Sequence, residues 1–561
     1  MQIKQRAYDA TIAKALTSKM VPPLLARLYA ARGVVAQDAL ETSLSQLISP
    51  DLLTDNHLMA QLLADAIQSH QHLLVIGDYD ADGATATAVA VKGLRSMGAQ
   101  VDFLVPNRFE YGYGLTPEIV ALAAQKNPDV IITVDNGIAS VEGVAAANAL
   151  GIQVLITDHH LPAEVTPQAA CIVNPNQQGC TFPSKHLAGV GVMFYVLLAL
   201  RATLRSRGAF SQQTEPNLTE LLDLVALGTV ADLVKLDANN RILVEQGLRR
   251  IRAGACSAGI TALLQVAKCT PYKLSAQDLG FYVGPRLNAA GRLDDMRLGI
   301  DCLLAETAAE ATQKAQTLHE LNQERRNIEA DMQAGALLAL DDIQVQTQYT
   351  LSLFQPDWHQ GVIGILASRL KERYHRPTIV FADAGDGLLK GSGRSIASLH
   401  LRDALDLITK QHSALILKFG GHAMAAGLTI KQANFEAFSQ AFEDVVRSQI
   451  NPADLDAVLE VDGNIGDDLS FATAQMLESQ VWGQGFAPPL FFDAFSVINQ
   501  RVVGEKHLKL TLKNNHVAVD AIYFNQTDFL PNHIQAAYQL QTNEFNGAQK
   551  MQLNIRHVVS T

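Results

Sequence analysis

The chain has 561 residues, of which 48% are hydrophobic and 18% charged, and its formal net charge is −12. This length exceeds what one hydrophobic core supports, the composition excludes a largely disordered protein, and the acidic balance counts against an obvious nucleic-acid binder. We find no apolar run of membrane-spanning length, no secretory signal and no C-x-x-C pair among the five cysteines, so we expect a cytoplasmic protein with reduced thiols and no membrane partner.

From about residue 73, apolar strands alternate with helical stretches. The strand sequences are, in order, HLLVIG, VDFLVP, DVIITV, IQVLIT and CIVNP. Strands separated by helices of this length imply right-handed crossovers and a parallel, doubly wound sheet covered on both faces. The helical sequences LAGVGVMFYVLLALRATL and LTELLDLVALGTVADLV complete this α/β domain.

The second half of the chain changes character twice. Residues 305–340 are rich in helix formers and contain neither Gly nor Pro before Gly335, which predicts one long connecting helix. A second, smaller α/β region follows, with the strand sequences YTLSLF, PTIVFAD and SALILKFGG. In the last hundred residues, HLKLTLK and KMQLNIRHV alternate apolar and polar residues and an Asn546-Gly547 turn precedes the second, so we expect an antiparallel sheet or small barrel.

Three aspartates follow the first strand at alternate positions in the motif DYDADG, namely Asp78, Asp80 and Asp82. This spacing also opens a calcium-binding EF-hand loop, which requires a bidentate Glu at its twelfth position and a helix before it. Here the twelfth position is Val89 and a strand sequence precedes the motif. The calcium interpretation therefore fails.

Further polar residues follow the other strands of the predicted sheet. Asp135 comes after DVIIT, and Asp158, His159 and His160 come after IQVLIT. Asp232 ends the helical sequence LVALGTVAD and could join them. Because ligands bind outside the carboxyl ends of parallel strands, we expect all these side chains at one rim of the sheet.

A cluster of carboxylates in a partly desolvated cleft would raise the pKa of each member, and divalent cations remove this repulsion. Aspartate oxygens with one or two histidines and no cysteine favour Mn²⁺ or Mg²⁺, with zinc or iron less expected. The ligands outnumber what one ion needs, which predicts two ions bridged by Asp135. Helix capping is the alternative for DYDADG alone, and hydrogen bonding is the alternative for the His-His pair, but the convergence favours metal.

These motifs resemble those of the DHH phosphoesterase superfamily. DYDADG, VDNG, the Asp158-His159-His160 triplet and the AD at Asp232 are similar, in this order, to its metal motifs. GPRLNAAGRL, WHQGVIGILASRL, SGRS and GGHAMAAG are similar to motifs of the RecJ branch, the single-stranded-DNA-specific exonucleases. The resemblance runs from about residue 50, and the last hundred residues match in general character.

The resemblance implies a metal-dependent exonuclease that degrades single-stranded DNA from 5′ to 3′ and releases 5′-mononucleotides in DNA repair and recombination. It implies two-metal hydrolysis with two Mn²⁺ or Mg²⁺ ions. The metal-binding residues would be Asp78, Asp80, Asp82, Asp135, Asp158, His159 and Asp232, with Asp78 and Asp158 either ligands or supporting residues. Asp135, His159 and His160 would be catalytic, and His160 would lie close to the scissile phosphate.

A second set of residues is predicted to bind the substrate: Arg108, Arg286, Asn288, Gln360, Ser392, Arg394, Ser395, Gly420, Gly421 and His422. The glycines of SGRS and GGHAMAAG would let the backbone approach a phosphate, with Arg394 and His422 as donors, although ordinary turns joining strand to helix are the alternative. Gln360 precedes a helix, whose N-terminus attracts anions. The resemblance implies that Arg108 holds the terminal 5′-phosphate.

The predicted domain organisation has five parts: an N-terminal helical segment at 1–48, a DHH catalytic domain at 49–303, the connecting helix at 304–345, a DHH-associated substrate-binding domain at 346–452, and a barrel similar to an oligonucleotide-binding (OB) fold at 453–561. The resemblance implies a single-strand-binding protein as partner and a helicase that supplies the strand.

Two alternatives for the function stay open. One is a DHH phosphodiesterase for pyrophosphate, polyphosphate, cyclic dinucleotides or very short RNA, and the other is a non-catalytic nucleic-acid scaffold.

Overall fold

The computed structural model describes residues 1–107, 111, 114–211, 214–341, 345–514, 517–545 and 547–560. The predicted phosphate-binding residue Arg108 lies outside the described residues. The chain forms two compact units. The smaller unit contains Met1–Lys4 and Glu320–Leu459, and the larger unit contains Gln5–His319 and Glu460–Thr561.

The strands are numbered in chain order: β1 (Gln2–Gln5), β2 (His72–Gly77), β3 (Gln100–Leu104), β4 (Val130–Val134), β5 (Gln153–Thr157), β6 (Cys171–Val173), β7 (Leu351–Phe354), β8 (Thr378–Gly385), β9 (Leu388–Arg394), β10 (Ile416–Gly421), β11 (Ala425–Lys431), β12 (Val458–Val461), β13 (Phe491–Val503), β14 (His507–Asn514), β15 (Val517–Tyr523), β16 (His533–Phe545) and β17 (Ala548–Ser560).

The α-helices are Ala10–Ser18, Pro23–Ala30, Asn56–Gln68, Ala81–Ser96, Pro117–Ala124, Val141–Ala149, Gly189–Ser206, Leu222–Ala231, Ala238–Arg252, Ala258–Val266, Ala276–Asp278, Gly284–Leu293, Arg297–Leu304, Ala308–Asp341, Ile363–Tyr374, Leu401–Gln411, Phe435–Gln449 and Phe471–Glu478. One π-helix, Leu279–Val283, joins two of these helices in the larger unit.

The sheet of the larger unit has the strand order β3-β2-β4-β5-β6, and every neighbouring pair is parallel. All five residues of β4 are buried, as expected for a strand covered on both faces. One face packs on the helices Pro117–Ala124 and Val141–Ala149 through an apolar cluster. The helices Ala81–Ser96 and Gly189–Ser206 contact the strands as well. The prediction of a doubly wound parallel sheet is confirmed.

Contrary to the expectation from the sequence, helix Gly189–Ser206 is long and apolar enough to pass for a membrane span by length and composition, but 67% of it is buried inside the larger unit. It packs against the helices Asn56–Gln68 and Ala81–Ser96. The approach is close, because a Cβ at Gly93 would lie 2.3 Å from a methyl group of Leu197. This burial identifies it as a core helix of the larger unit.

The predicted connecting helix is a single helix of 34 residues, Ala308–Asp341, which continues through Gly335. The sheet of the smaller unit has the order β10-β11-β9-β8-β7. Its strands β7 and β8 are parallel and its other neighbours are antiparallel. Its core includes Phe381, Phe438 and Phe442. The prediction of a second, smaller α/β region is confirmed.

The C-terminal strands close into a barrel with the order β13-β14-β15-β17-β16. Along β14, Leu508, Leu510 and Leu512 are buried at alternate positions, which is the pattern that a barrel interior requires. Phe545 pairs with Ala548, so the β16–β17 hairpin turns at the predicted position, although Asn546 itself lies outside the described residues. The predicted barrel is confirmed.

Candidate metal centre

The motif DYDADG connects the end of β2 to the start of helix Ala81–Ser96. Oδ1 of Asp80 accepts hydrogen bonds from the backbone N–H groups of Asp82 (2.9 Å) and Gly83 (3.0 Å), so Asp80 is the N-cap of this helix. Oδ1 of Asp78 accepts from Tyr79 N–H at 2.8 Å. The capping interpretation is therefore correct for one oxygen of Asp80, and it leaves that residue's second oxygen for another role.

Asp82 is fully buried at the N-terminus of helix Gly189–Ser206. Its two carboxylate oxygens accept hydrogen bonds from the backbone N–H groups of Gly189 (2.6 Å) and Val190 (2.9 Å). These amides and the helix dipole stabilise the negative charge. A Cβ at Gly189 would lie 2.6 Å from Oδ1 of Asp135, and a Cβ at Gly228 would lie 2.9 Å from Oδ1 of Asp82. The two glycines make the close packing of the acids possible.

Asp135 follows β4 and adopts a left-handed backbone conformation, with φ of 62°. Aspartate tolerates this region better than most residues. Its N–H donates to the Thr157 carbonyl at 3.0 Å, and the side chain of Asn136 donates to the carbonyls of Ile76 and Val134 at 3.1 and 2.9 Å. These bonds hold the turn against the neighbouring strands and direct Asp135 toward the rim of the sheet.

His159 lies among three of the acids. Its Nε2 is 3.1 Å from Oδ1 of Asp135, 3.5 Å from Oδ2 of Asp232 and 4.0 Å from Oδ2 of Asp82. Nε2 of His159 and Oδ1 of Asp135 are both buried and have no hydrogen-bond partner within the described part of the chain. Buried polar atoms are rarely left unpaired, so this pair fits a site for a cation.

The ligand atoms of the cluster form three groups, and inside each group all the atoms lie within 4.8 Å of one another. The groups are Asp82, His159 and Asp232; Asp78, Asp80 and Asp135; and Asp135, His159 and His160. Asp135 belongs to two groups that otherwise share no carboxylate. A carboxylate in this position can bridge two neighbouring ions. Asp232 reaches the cluster as the C-cap of helix Leu222–Ala231, as the sequence predicts.

Crowding of the acids shifts their pKa values upward. Burial, and then the charges of Asp82 and Asp80, raise the pKa of Asp135 well above its usual value, and burial and Asp82 do the same for Asp232. Burial, with the charge of Asp80, raises the pKa of Asp82 to about 7. Burial lowers the pKa of His159 to about 4, which keeps its imidazole neutral and able to bind a metal. A divalent cation would relieve the repulsion between the carboxylates.

Asp158 differs from the other predicted ligands, because protein groups occupy both of its oxygens. Oδ2 accepts from Ile138 N–H at 2.9 Å, while Oδ1 accepts from the backbone N–H groups of His159 (2.7 Å) and His160 (3.1 Å) and lies 2.8 Å from Nδ1 of His160. Although burial opposes it, the bond to Asp158 raises the pKa of His160 to about 9. We therefore interpret Asp158 as the residue that orients His160, which is the supporting role and not the ligand role of the two that the sequence leaves open.

Helix Gly284–Leu293 supports the metal loop. Oδ1 of Asn288 accepts a hydrogen bond from Ala81 N–H at 2.8 Å, and a Cβ at Gly291 would lie 1.9 Å from the Tyr79 carbonyl oxygen. This contact gives Asn288 a role in positioning DYDADG, where the sequence predicts substrate contact. The glycine inside a helix is the signal in the sequence that marks the close approach.

Arg286, another predicted substrate ligand, is buried and engaged with protein groups. Its guanidinium donates to the carbonyl of Tyr282 and lies 3.0 Å from Nδ1 of His319. A contact with the Val266 carbonyl, at 3.5 Å, is longer. In this arrangement Arg286 joins three helical segments of the larger unit, which differs from the predicted substrate contact.

In the smaller unit, the glycines of SGRS and GGHAMAAG lie in paired strands and not in turns between strand and helix. Gly427 of β11 pairs with both Ser392 and Gly420, which places the two motifs side by side. Local sequence suggests a turn because glycine is frequent there, whereas the long-range pairing decides the structure. A Cβ at Gly420 would meet nothing within 4 Å, so this strand surface is open.

Arg394 is a half-buried cation of that surface. It donates to Ser392 Oγ at 3.2 Å and to the Gly393 carbonyl at 2.8 Å, and it forms no salt bridge with any described residue. Burial lowers the pKa of Arg394. A Cβ at Gly364, in the first turn of helix Ile363–Tyr374, would lie 3.0 Å from both Arg394 and Ser392. A desolvated guanidinium beside a helix N-terminus is suited to an anion.

The remaining predicted ligands of the smaller unit make local contacts. Ser395 is buried and its Oγ donates to the Leu399 carbonyl at 2.9 Å, which gives it a structural role in place of the predicted one. Gln360 donates to the Asp383 carbonyl at 2.8 Å. Gly421 has φ of 144° and precedes His422, whose N–H closes the β10–β11 hairpin on the Ala425 carbonyl at 2.8 Å.

Three families match successive parts of the chain. Residues 72–229 match the DHH family, N-terminal domain, residues 342–448 match the DHHA1 domain, and residues 461–557 match the RecJ OB domain. The chain is 51% identical over 553 residues to the single-stranded-DNA-specific exonuclease RecJ of Dickeya dadantii (strain 3937), covering 96% of each chain. It is 48% identical over 573 residues to the protein of the same name from Escherichia coli (strain K12), covering 100% of this chain and 99% of that one.

A solved structure is similar over the full length. It is the crystal structure of RecJ in complex with Mn²⁺ from Thermus thermophilus, with a TM-score of 0.83 and 29% identity. The similarity covers 100% of this chain and 79% of that chain.

Proposed function

The chain belongs to the RecJ family of single-stranded-DNA-specific exonucleases, in the DHH superfamily, and from this premise we propose that it hydrolyses single-stranded DNA from 5′ to 3′ with two bound Mn²⁺ or Mg²⁺ ions. One observation carries the proposal. Asp135 Oδ1 and His159 Nε2 are buried among the acids at one rim of the sheet and have no hydrogen-bond partner in the described part of the chain. The similarity to a Mn²⁺ complex of RecJ supports the choice of metal.

The residues that would hold the ions are those whose ligand atoms converge: Asp78, Asp80, Asp82, Asp135, His159 and Asp232. When bound, such ions polarise a phosphodiester and lower the pKa of a water that attacks it. Asp135 would contribute to holding the ions from both sides of the cluster, because it belongs to two of the three groups of ligand atoms. His159 supplies a neutral nitrogen, since its pKa is lowered to about 4.

His160 is placed beside the same centre, with its ring 4.5 Å from that of His159. The bond to Asp158 fixes the ring and favours its protonated form. A protonated imidazole at this position would donate a hydrogen bond to a phosphate oxygen and stabilise the charge that develops there. Asn288 holds the backbone of the metal loop during this step.

Family membership supports a role in DNA repair and recombination. We infer a single-strand-binding protein as partner and a helicase that supplies the strand, both from the resemblance to RecJ. The same resemblance supports a cytoplasmic enzyme, release of 5′-mononucleotides and the five-part domain organisation predicted from the sequence.

A time course on end-labelled DNA tests the proposed function. We expect degradation of a single strand with Mn²⁺ or Mg²⁺, early loss of a 5′ label, persistence of a blunt duplex of the same sequence, and arrest when a chelator is added. Cyclic dinucleotides and pyrophosphate serve as competing substrates in parallel reactions. Hydrolysis of these small substrates without degradation of the strand, or degradation that begins at the 3′ end, would contradict the proposal.

We also propose that Arg394 binds the terminal 5′-phosphate of the strand, because its half-buried guanidinium has no acidic partner among the described residues. Arg394→Ala is expected to raise KM for a 5′-phosphorylated strand by about 10- to 100-fold, the effect of losing a charged hydrogen bond. A strand with a 5′-hydroxyl should show a smaller change. Arg373→Ala, which removes an exposed arginine of the same unit, is the control. An equal rise in KM for both strands would contradict binding of the terminal 5′-phosphate by Arg394.

A further inference from the structure

Residues 174–188 connect β6 to helix Gly189–Ser206, and we call them the supporting loop. The loop contributes no atom to the three groups of ligand atoms. Two of its side chains nevertheless contact the histidines of the centre, and the two backbone amides that hold Asp82 follow directly after it. The loop is therefore in a position to set the geometry of the metal centre.

Asn176 joins two segments of the chain through one amide group. Its Nδ2 donates to the His159 carbonyl at 2.6 Å and to the Lys185 carbonyl at 3.2 Å. An amide nitrogen carries two protons, so both hydrogen bonds can form at once. The backbone of His159 is thereby fixed relative to the segment of the supporting loop that contains Leu187.

That segment also holds the imidazole of His159. Nε2 of His159 has no hydrogen-bond partner in the described part of the chain, so the bond between the ring and the backbone of Leu187 uses Nδ1. Burial lowers the pKa of His159 and this bond opposes the shift, as expected when a ring N–H donates to a carbonyl. A proton on Nδ1 leaves the lone pair of Nε2 available for a metal ion.

Asn174 makes the equivalent contact with the second histidine. It is fully buried, and its Nδ2 donates to the His160 carbonyl at 2.9 Å. Its Oδ1 accepts a hydrogen bond from Asn176 N–H at 2.7 Å, which closes a turn through the side chain and places the second amide. The two asparagines thus hold consecutive carbonyls, those of the histidine that faces the acids and of the histidine bonded to Asp158.

The supporting loop is itself braced. Nζ of Lys185 donates to the carbonyls of Pro175 and Cys180, at 2.7 Å each. Asn240, which lies in a neighbouring helix, donates through Nδ2 to the His186 carbonyl at 2.6 Å. Hydrogen bonds that fix the supporting residues make a functional site precise. The asparagines therefore act from a fixed base on the histidines.

We propose that Asn176 and Asn174 are positioning residues of the metal centre. Asn176 holds His159 against the acids, where its Nε2 can bind an ion. Asn174 holds His160 beside the scissile phosphate. The proposal rests on the proposed function, from which both histidines take their roles. Loss of a hydrogen bond that orients a metal ligand typically costs about 10- to 100-fold in metal affinity or activity.

Mn²⁺ binding in the absence of DNA tests the role of Asn176. Mn²⁺ is titrated into the full chain, and the free ion is followed by its electron paramagnetic resonance signal. Asn176→Ala is expected to raise the Kd for Mn²⁺ by about 10- to 100-fold. Asn176→Gln moves the amide by one methylene group and keeps the polarity of the site, so it should fold normally and also weaken binding. Asn148→Ala removes another amide that donates to a backbone carbonyl, that of Gln168 at 2.9 Å, and should leave the Kd unchanged.

Hydrolysis of a labelled single strand separates the two asparagines. With excess Mn²⁺, Asn176→Ala should recover most of its kcat, because the added metal fills the weakened site. Asn174→Ser is expected to lower kcat by about tenfold or more without changing the Kd for Mn²⁺, since serine can still close the turn on Asn176 but cannot reach the His160 carbonyl. KM for the strand should be the same in both variants as in the unsubstituted protein.

An unchanged Kd for Mn²⁺ in Asn176→Ala or Asn176→Gln, or a kcat that excess Mn²⁺ does not restore, would overturn the role of Asn176. A normal kcat in Asn174→Ser would overturn the role of Asn174. Failure of the unsubstituted protein to bind Mn²⁺ or to degrade the strand would instead overturn the proposed function. The failures are distinguishable, because the first two leave the unsubstituted protein active.

Discussion

Asp135→Asn is expected to reduce hydrolysis of single-stranded DNA by about a thousandfold or more while the protein remains folded. The substitution removes the charge of the carboxylate that belongs to two groups of ligand atoms. Metal ions contribute several kcal/mol to such reactions, and each 1.4 kcal/mol corresponds to a tenfold rate. Asparagine is preferable to alanine here, because it has the same size and tolerates the left-handed backbone at φ of 62°.

The measurement is kcat with saturating Mn²⁺ on a labelled single strand, with circular dichroism as the check on folding. Asp386→Asn is a matched control, since Asp386 is also left-handed, with φ of 52°, and lies exposed in the smaller unit. Near-normal activity in pure Asp135→Asn protein would show that this carboxylate does not hold the ions. Without metal, the same variant should melt at a higher temperature than the unsubstituted protein, because a buried repulsion has been removed.

Removal of divalent ions is expected to lower the melting temperature, and the loss should be larger at pH 8.5 than at pH 6.5. With Mn²⁺ at about 100 times its Kd, the stabilisation is about 2.7 kcal/mol, which corresponds to roughly 5–10 °C for a domain of this size. The measurement is a thermal melt with Mn²⁺ and with a chelator, at both pH values.

The sign of the pH effect follows from the groups whose pKa values differ between the folded and unfolded states. Asp135 and Asp232 have folded-state pKa values well above their unfolded values, so they bind more protons when folded and the metal-free protein loses stability as pH rises toward those values. The pKa of His160 is raised to about 9, so its contribution is also lost between pH 6.5 and 9. The pKa of His159 is lowered to about 4, so its opposing effect is complete by pH 6.5. Above pH 6.5 the slopes of Asp135, Asp232 and His160 therefore have the same sign.

Asp135→Asn provides the control for the pH effect, because it should flatten the dependence of the metal-free melting temperature on pH. If chelation lowers the melting temperature equally at both pH values, or more at pH 6.5, the result would be inconsistent with a crowded carboxylate site. Metal binding itself strengthens with pH as its ligands lose protons, which acts in the same direction.

The sequence predicts the rim of the sheet well, because the position of a residue after a parallel strand is a local property. Asp82, Asp135 and His159 lie together as expected. Some of the hydrogen-bond partners of the carboxylates are distant in sequence. Asp158 receives a hydrogen bond from Ile138, twenty residues away, and nothing in the triplet itself reveals that bond.

Residues that act through contacts distant in sequence cannot be assigned from local patterns. Asn288 binds the backbone of a loop 207 residues before it, which no periodicity could indicate. The glycines of SGRS and GGHAMAAG are typical of turns when they are considered locally, yet strand pairing places them in a sheet. In both cases the tertiary contact overrides the local preference of the sequence.

The glycines at positions 189 and 228 restrict how this centre can change in evolution. Neither has a positive φ, so flexibility is not the reason for glycine at these positions. One additional carbon atom at either would stand within 2.9 Å of a carboxylate oxygen of the centre. Descendants that keep the activity should therefore retain the smallest residue at both positions, even where alanine would favour the helix.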